Sequence, residues 1–173
     1  MGAATLSTDA VVHELYASEA VRDAVVARWG PDVAPGGTVD RAAVARHAFA
    51  APEERAWLEG LLWPLVGERV AAWRAAESAK EPPPPALVVE TPLLFEAGLE
   101  ALYDATLVIV ADEAVRAERA AARGHAAVDE RTARQLTQEE KAARADHVVR
   151  NDRDLAALEQ ELAAVLEKLS SRP

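Results

Sequence analysis

The fold is decided by Ala86-Leu87-Val88-Val89-Glu90 and by a second apolar run, Thr106-Leu107-Val108-Ile109-Val110-Ala111. Both runs are continuous and rich in β-branched residues, which is typical of strands buried on both faces of a parallel sheet. The four prolines at positions 82–85 cannot lie inside a helix or a strand, so they predict a surface connector that leads into the first run.

Helical patterns flank these strands. We predict a short strand at 5–7, helices over 9–29, 40–49 and from 52 onward, and a kink or break at Pro64. After the second run, we predict helices over 113–124, 129–144 and 154–169, a strand at 147–150, and a helix that begins near Glu96. This alternation predicts an α/β fold with a parallel, doubly wound sheet and an active site outside the carboxyl ends of its strands.

Composition limits the class of protein. A chain of 173 residues, half of them apolar, suits one compact domain. It has no cysteine, which excludes disulfides and thiolate catalysis, and its four histidines are too scattered to suggest a metal cluster. We find no secretory signal or membrane-spanning run, so we expect a cytoplasmic protein that does not enter a membrane. The net charge of −10 argues against a nucleic-acid partner.

The charge is unevenly distributed along the chain. Residues 112–153 carry nine basic and nine acidic side chains, so the excess of negative charge lies elsewhere. Arg116, Arg119 and Arg123 recur at helical spacing and share one helix face. That face is either a solvated surface with i,i+4 ion pairs or a site for a small polyanion, with later basic residues acting as a lid.

Two carboxylates follow predicted strands. Asp9 comes after the first strand and shares a helix face with His13, so it either caps the helix or accepts a proton from a ligand. Glu96 follows the strand at 86–90 through Pro92. It either holds a hydroxyl group or a water-bridged magnesium ion, or it is simply solvated beside apolar residues that dock the chain.

An ordered set of motifs carries a family resemblance over nearly the whole chain. The set comprises Ser7-Thr8-Asp9-Ala10-Val11-Val12-His13, Val39-Asp40-Arg41, Phe49 with Pro52-Glu53-Glu54, Leu62-Trp63-Pro64-Leu65, Pro92-Leu93-Leu94-Phe95-Glu96 and Ala145-Asp146-His147-Val148-Val149-Arg150-Asn151. Each motif alone is weak, but their order and spacing are specific. In this respect the sequence resembles the dephospho-CoA kinases.

The resemblance implies a P-loop NTPase-like fold with a three-layer parallel sheet, formed by residues 1–173 as a single domain. A helical acceptor lobe would span about 20–80, and a lid about 124–145. The implied reaction moves the γ-phosphate of ATP, with Mg²⁺, to the ribose 3′-hydroxyl of dephospho-CoA, the last step of CoA biosynthesis. The implied partners are dephospho-CoA and ATP, and the implied state is a monomer or a weak homo-oligomer.

The resemblance also implies roles for individual residues. Asp9 would be the general base, and Arg119 and Lys141 would contact ATP phosphates. The residues that would bind the acceptor are His13, Arg41, Pro92, Leu93 and Glu96. Arg123 and Asn151 would bind ATP, with Asn151 near the adenine.

Two departures from the family pattern stand out. Trp63 precedes a proline where the family commonly has histidine, and an indole cannot titrate near neutral pH. The pattern G-x-x-x-x-G-K-[ST], which cradles phosphates in this fold, occurs nowhere in the sequence. We therefore expect a chain that lacks the first strand and phosphate loop of its family, and that is poorly stable and inactive alone.

One hypothesis for this departure is that Met1 is an internal codon taken as the start, which predicts a phosphate loop in the upstream reading frame. Two alternatives remain for the function. One is a silent protein that binds CoA-like nucleotides without turnover, and the other is a different nucleotide kinase of the same fold.

Overall fold

The structure is a computed structural model that describes residues 1–122 and 135–171. The chain divides into two compact units. The first unit comprises residues 2–91, and the second comprises residues 92–173 together with Met1.

The first unit combines one pair of strands with a group of helices. β1 and β2 pair in parallel, with Ala4 opposite Leu87 and Ser7 opposite Glu90. The elements are β1 (Ala4–Ser7), α1 (Thr8–Tyr16), α2 (Glu19–Trp29), α3 (Arg41–Ala48), α4 (Pro52–Ser78) and β2 (Leu87–Glu90), with 3₁₀ turns at Pro31–Val33 and Pro35–Gly37. The predicted strands and the helix over 40–49 are confirmed to within one or two residues.

The prediction of one helix over 9–29 is wrong, because the helix is interrupted at Ser18. This residue has extended backbone angles and caps the second helix, its hydroxyl accepting the Val21 N–H at 3.4 Å. The same hydroxyl donates to the carbonyl of Leu15 at 2.7 Å. Ser18 thus satisfies backbone groups at both helix ends, as expected of a residue with high N-cap preference.

Of the predicted kink or break at Pro64, the break is wrong, since α4, 27 residues long, continues through this position. Proline at this position removes the hydrogen bond to the carbonyl four residues earlier, that of Gly60. Both Gly60 and Pro64 are exposed, so water can hydrate that carbonyl. The loss of this hydrogen bond destabilises the helix least where the unpaired carbonyl is exposed to water.

The core of the first unit is built from aliphatic side chains at helical spacing. Val21 and Val25 on α2 are fully buried, and Val44 on α3 is 1% exposed. The buried cluster comprises Val11, Leu15, Val21, Val25, Val33, Ala34, Val39, Ala43, Val44 and Leu62. Each helix buries its apolar side chains in this cluster, and that burial stabilises the packing of the helices.

A polar and aromatic contact joins α2 to the start of α4. Arg28 donates two hydrogen bonds to the Glu54 carboxylate, at 2.9 and 2.7 Å, and the Trp29 indole donates a third at 2.7 Å. Trp29 in turn stacks on His47 at 5.6 Å. The hydrogen bonds from Arg28, followed by the one from Trp29, hold the pKa of Glu54 below its usual range.

This contact predicts an acid-sensitive stability. Because the folded-state pKa of Glu54 is lowered, its stabilisation is present above the ordinary value of 4.5 and is lost as the pH falls through the folded-state value. We expect the urea midpoint of the wild type to fall more between about pH 6 and about pH 3 than that of Glu54→Gln. Glu68→Gln, a substitution at an exposed position on the same helix, should behave as the wild type. If the urea midpoint fell equally with pH in all three proteins, the prediction would be contradicted.

The second unit is built around another parallel pair. β3 and β4 are in register from Leu107 opposite His147 to Val110 opposite Arg150. The elements are a 3₁₀ turn (Glu100–Leu102), β3 (Leu107–Val110), α5 (Glu113–Ala122), α6 (Gln138–Arg144), β4 (His147–Arg150) and α7 (Leu155–Ser170). The predicted strands at 106–111 and 147–150 and the closing helix are confirmed.

A reciprocal contact fixes the register of this pair just before its strands begin. The backbone N–H and the hydroxyl of Thr106 both lie 2.8 Å from one Asp146 carboxylate oxygen, and the Asp146 N–H donates back to the hydroxyl at 3.0 Å. Thr106 is 6% exposed. A buried polar group of this kind is tolerated because it is fully hydrogen-bonded.

Two strand predictions need correction. The runs were expected to be buried on both faces, but exposure alternates along β2 and β3, with Val88 45% and Ile109 49% exposed. In the described residues the strands form two separate pairs rather than one continuous sheet. The alternation follows because the described elements leave apolar side chains of each pair uncovered on one side.

The segment after β2 also differs from expectation. Residues 92–98 form consecutive turns, so no helix begins near Glu96. Gly98 adopts a positive φ of 65°, a conformation that suits glycine and ends this run.

The predicted lid at about 124–145 and the predicted helix over 129–144 fall partly on residues 123–134, outside the described residues. In the described part, from residue 135 onward, the helix is α6, Gln138–Arg144. Among the described helices, none combines the length and the hydropathy that a membrane crossing requires.

Candidate functional site

In the first unit, Asp9 lies where the parallel strands end. It is in the first turn of α1, two residues after β1, while Glu90 ends the neighbouring strand β2. The Thr8 hydroxyl donates to the Glu90 carbonyl at 3.0 Å, which ties the helix start to the end of β2. Asp9 is therefore at the carboxyl edge of the pair, the edge where ligands bind in folds of this type.

The geometry bears on the alternative of helix capping. Ser7 is the N-cap residue of α1, and its side chain makes no capping hydrogen bond. Asp9 is exposed and is recorded in no hydrogen bond among the described residues. Its carboxylate is thus available to a ligand, as is His13, which is exposed one turn further along α1.

In the second unit, Glu96 and Lys141 come together although 45 positions separate them in the sequence. The Lys141 ammonium lies 3.0 Å from Glu96 Oε1 and donates to the Pro92 carbonyl at 2.7 Å. The same Oε1 accepts the N–H of Leu136 at 2.9 Å. Burial acts to raise the pKa of Glu96, but the hydrogen bond from Lys141 and those from the backbone N–H groups of Glu96 itself and of Leu136 outweigh it and leave the pKa below its usual range.

Gln138 is a positioning side chain that the sequence analysis missed. Its amide pairs with both backbone groups of Ala111, accepting from the N–H at 2.9 Å and donating to the carbonyl at 3.1 Å. α6 is thereby attached to the end of β3. Thr137 and Glu140, which form a capping box at the start of α6, were the signal that could have located it.

Arg119 and Asn151 also come together. From α5, the Arg119 guanidinium donates to the Asn151 carbonyl at 2.6 Å and to the Arg153 carbonyl at 3.2 Å. Two of its five N–H donors hold the loop after β4, and the other three are recorded in no hydrogen bond within residues 1–122 and 135–171.

A charged contact borders the same loop. Asp152 accepts the Asp112 N–H at 2.6 Å and pairs with the Arg150 guanidinium at 3.0 Å; that guanidinium also reaches Asp112 at 2.9 Å. The hydrogen bond from the Asp112 backbone, followed by that from Arg150, holds the pKa of Asp152 below its usual range. Nearby, an open groove of about 260 Å³ is lined by Val110, Ala111, Gln138 and Arg150, among others.

Comparison with known proteins assigns the family. The sequence profile of dephospho-CoA kinases matches residues 1–157. The chain belongs to the dephospho-CoA kinase family. It is 43% identical over 142 residues to a dephospho-CoA kinase of Deinococcus radiodurans, and 36% identical over 155 residues to one of Symbiobacterium thermophilum. These alignments cover 80% and 87% of this chain, and 68% and 64% of the relatives; the chain thus spans about two thirds of their length.

Solved structures support the fold. A crystal structure of a Thermus thermophilus protein matches with a TM-score of 0.79 and 33% identity, covering 97% of this chain and 85% of that one. A dephospho-CoA kinase from Campylobacter jejuni matches with a TM-score of 0.66 and covers 98% of this chain and 86% of that one; at 21% identity it supports the fold alone. The expected α/β fold of a dephospho-CoA kinase is confirmed.

The remaining predicted site residues of this dephospho-CoA kinase family member lie at positions that do not by themselves indicate a role. Arg41 is exposed in the first turn of α3, after the N-cap residue Asp40, and Leu93 is 40% exposed. Trp63, which departs from the family pattern, is 49% exposed on α4. Arg123 lies outside the described residues. The roles assigned to all of these residues stay predictions.

The described residues offer no ready site for a metal ion. Among them, no group of three or more histidine, aspartate or glutamate side chains could hold one. In this part of the chain, the Mg²⁺ that the family resemblance implies therefore has no preformed cage of side-chain ligands.

Proposed function

We propose that this protein is a dephospho-CoA kinase, which transfers the γ-phosphoryl group of ATP to the ribose 3′-hydroxyl of dephospho-CoA. The family membership carries the proposal. The position of Asp9 supports it, because an exposed carboxylate without hydrogen bonds in the described residues lies at the carboxyl ends of a parallel strand pair.

In this proposal the chain's own residues divide the chemistry between them. Asp9 accepts the proton of the acceptor hydroxyl as it attacks, with His13, Arg41, Pro92 and Leu93 on the acceptor side. Arg119 and Lys141 neutralise negative charge on the phosphoryl oxygens, where charge-assisted hydrogen bonds are strong. Arg123 and Asn151 contribute to ATP binding.

The contacts in the second unit support an ATP-binding role. Arg119 organises the loop that contains Asn151, so a phosphate-binding cation and the proposed adenine neighbour share one hydrogen-bonded arrangement. Lys141 contacts two oxygen atoms, and in the described part of the chain its third N–H has no recorded partner and can serve a ligand. We further propose that ATP brings Mg²⁺ with it, and that the protein acts in the cytoplasm as a monomer or weak homo-oligomer.

The deciding experiment measures ADP formation with ATP, Mg²⁺ and dephospho-CoA. Because the 173 residues contain no G-x-x-x-x-G-K-[ST] pattern, the assay is run on this chain and on a version extended by the upstream in-frame codons. We expect turnover that depends on dephospho-CoA in the extended version, and little in the shorter one.

The alternatives predict other outcomes. Binding of dephospho-CoA without turnover in either version would support a silent binding protein. Faster turnover with a nucleoside monophosphate than with dephospho-CoA would indicate a different nucleotide kinase. Either result would contradict the proposed substrate or activity.

A further inference from the structure

The ion pair between Glu96 and Lys141 differs from the others in the described chain. Its side chains are 16% and 18% exposed, and it is the only described pair in which both partners are below one fifth. The Arg28–Glu54 pair, by comparison, is 40% and 25% exposed. Water screens a pair of this kind less than it screens a surface pair, and removal of one partner leaves the other charge poorly compensated.

The contact restrains a side chain that is otherwise flexible. Lysine carries a compact charge on a four-carbon stem with several rotatable bonds. In Lys141 two of the three ammonium donors are directed to Glu96 Oε1 and to the Pro92 carbonyl. The ammonium therefore has a defined position, and one of its donors has no recorded partner within the described ranges.

Glu96 also restrains the backbone that leads into α6. Its Oε1 accepts the N–H of Leu136, the residue just before the N-cap residue Thr137. Substitution of Glu96 would therefore release both the Lys141 ammonium and the residue that precedes the helix.

The Glu96 carboxylate is poorly placed to bind a substrate directly. Oε1 is occupied by two donors, and Oε2 has less than 1 Å² of accessible surface and no hydrogen-bond partner among the described residues. Its negative charge would also repel phosphate oxygens. The expected role in acceptor binding thus competes with a role that acts through Lys141.

We propose that Glu96 is a positioning residue that holds the Lys141 ammonium and the start of α6 in the arrangement from which Lys141 contacts a phosphate oxygen of ATP. This inference rests on the proposed kinase activity, which supplies the phosphate. The contact with Lys141 can be tested whether or not turnover is observed.

Chemical labelling tests the contact directly. The chain contains three lysines, Lys80, Lys141 and Lys168, so the other two serve as internal controls. Trace acetylation followed by mass spectrometry should show that Lys141 reacts more slowly than the exposed Lys168. In Glu96→Gln the Lys141 rate should rise several-fold while the other two rates stay constant.

Steady-state kinetics test whether the Glu96–Lys141 contact serves ATP turnover, and they are measured on whichever version of the protein is active. We expect Glu96→Gln to lower kcat/KM for ATP by about as much as Lys141→Met, and the double variant to lose no more than either, because residues that act as one unit are not additive. The KM for dephospho-CoA should not change in Glu96→Gln. Glu96→Asp should recover part of the loss in kcat/KM. Glu159→Gln, a substitution at an exposed position on α7, should match the wild type.

The outcomes separate this inference from the proposed function. Unchanged Lys141 labelling in Glu96→Gln, additive losses, or a raised KM for dephospho-CoA would overturn the positioning role even in an active kinase. Absence of turnover in both versions of the protein would overturn the kinase activity and with it the purpose of the contact, even if labelling confirmed that Glu96 holds Lys141.

Discussion

Asp9→Asn is expected to lower kcat by about 10²–10⁴-fold, the range that a positioned general base contributes. The substitution keeps the size and shape of the side chain but removes its ability to accept the hydroxyl proton. Asp9 is exposed and is recorded in no hydrogen bond among the described residues, so the folded state should tolerate the change. The measurement is steady-state turnover with dephospho-CoA, alongside a urea unfolding curve.

Glu14→Gln is the matched control for Asp9, since Glu14 is another exposed acid on α1. It should leave both turnover and the urea midpoint unchanged. If Asp9→Asn kept its full turnover, Asp9 would be no base, and its place in the first turn of α1 would be explained by the helix dipole alone.

Arg119→Ala is expected to lower kcat/KM for ATP on the order of 10²-fold, the typical loss when one donor to a developing negative charge is removed. Two effects add in this variant. The phosphate loses a guanidinium, and the carbonyls of Asn151 and Arg153 lose the donor that holds their loop. The KM for dephospho-CoA should change little, because both effects concern ATP.

Arg116→Ala controls for loss of charge on the same helix. Arg116 is exposed, and its recorded contact is an i,i+3 pair with Glu113 at 2.6 Å, so it should behave as the wild type. Arg119→Lys should remain impaired, since an ammonium cannot reproduce the fork that spans two carbonyls. A parallel rise in the KM for dephospho-CoA would show that the role assigned to Arg119 is wrong.

The strands were predictable from the sequence because their signal is local. Leu87–Glu90 and Leu107–Val110 are short apolar runs next to turn-forming residues. Helices separate β1 from β2 and β3 from β4, and parallel pairing within each pair follows from such helical connections. The family resemblance added the class of fold. The extent of burial was not predictable, because it depends on which elements cover each face.

The helix boundaries were less predictable. Ser18 and Pro64 carry opposite local signals, since serine is often found inside helices and proline rarely is. The structure reverses both expectations, for reasons that depend on the backbone partners of Ser18 and on the exposure of Gly60 and Pro64. The Ser18 bonds reach only three residues, so its N-cap preference was a signal in the sequence, whereas the exposure of Gly60 and Pro64 depends on tertiary context.

The candidate site was predictable as a set of residues but not as a set of contacts. Sequence reasoning named Glu96 and Lys141 separately, whereas the structure joins them at 3.0 Å. It named Arg119 as a phosphate ligand and did not foresee that the guanidinium binds the Asn151 carbonyl. Such contacts span 32 to 49 positions of sequence, beyond the reach of motif spacing.

The pairing of β1 with β2 has a consequence for the order of folding. Ala4 and Leu87 are paired although they are far apart in the sequence, with the helices α1 to α4 between them. Closing so long a loop is entropically unfavourable until the intervening chain is compact, and helices form faster than distant strands associate. We expect α1 to α4 to assemble first and the two strands to pair late, so that Asp9 reaches the end of the strand pair only in the last step. Substitutions in β1 and β2 should therefore accelerate unfolding, whereas those in the Val21–Val25–Val44 core should slow folding.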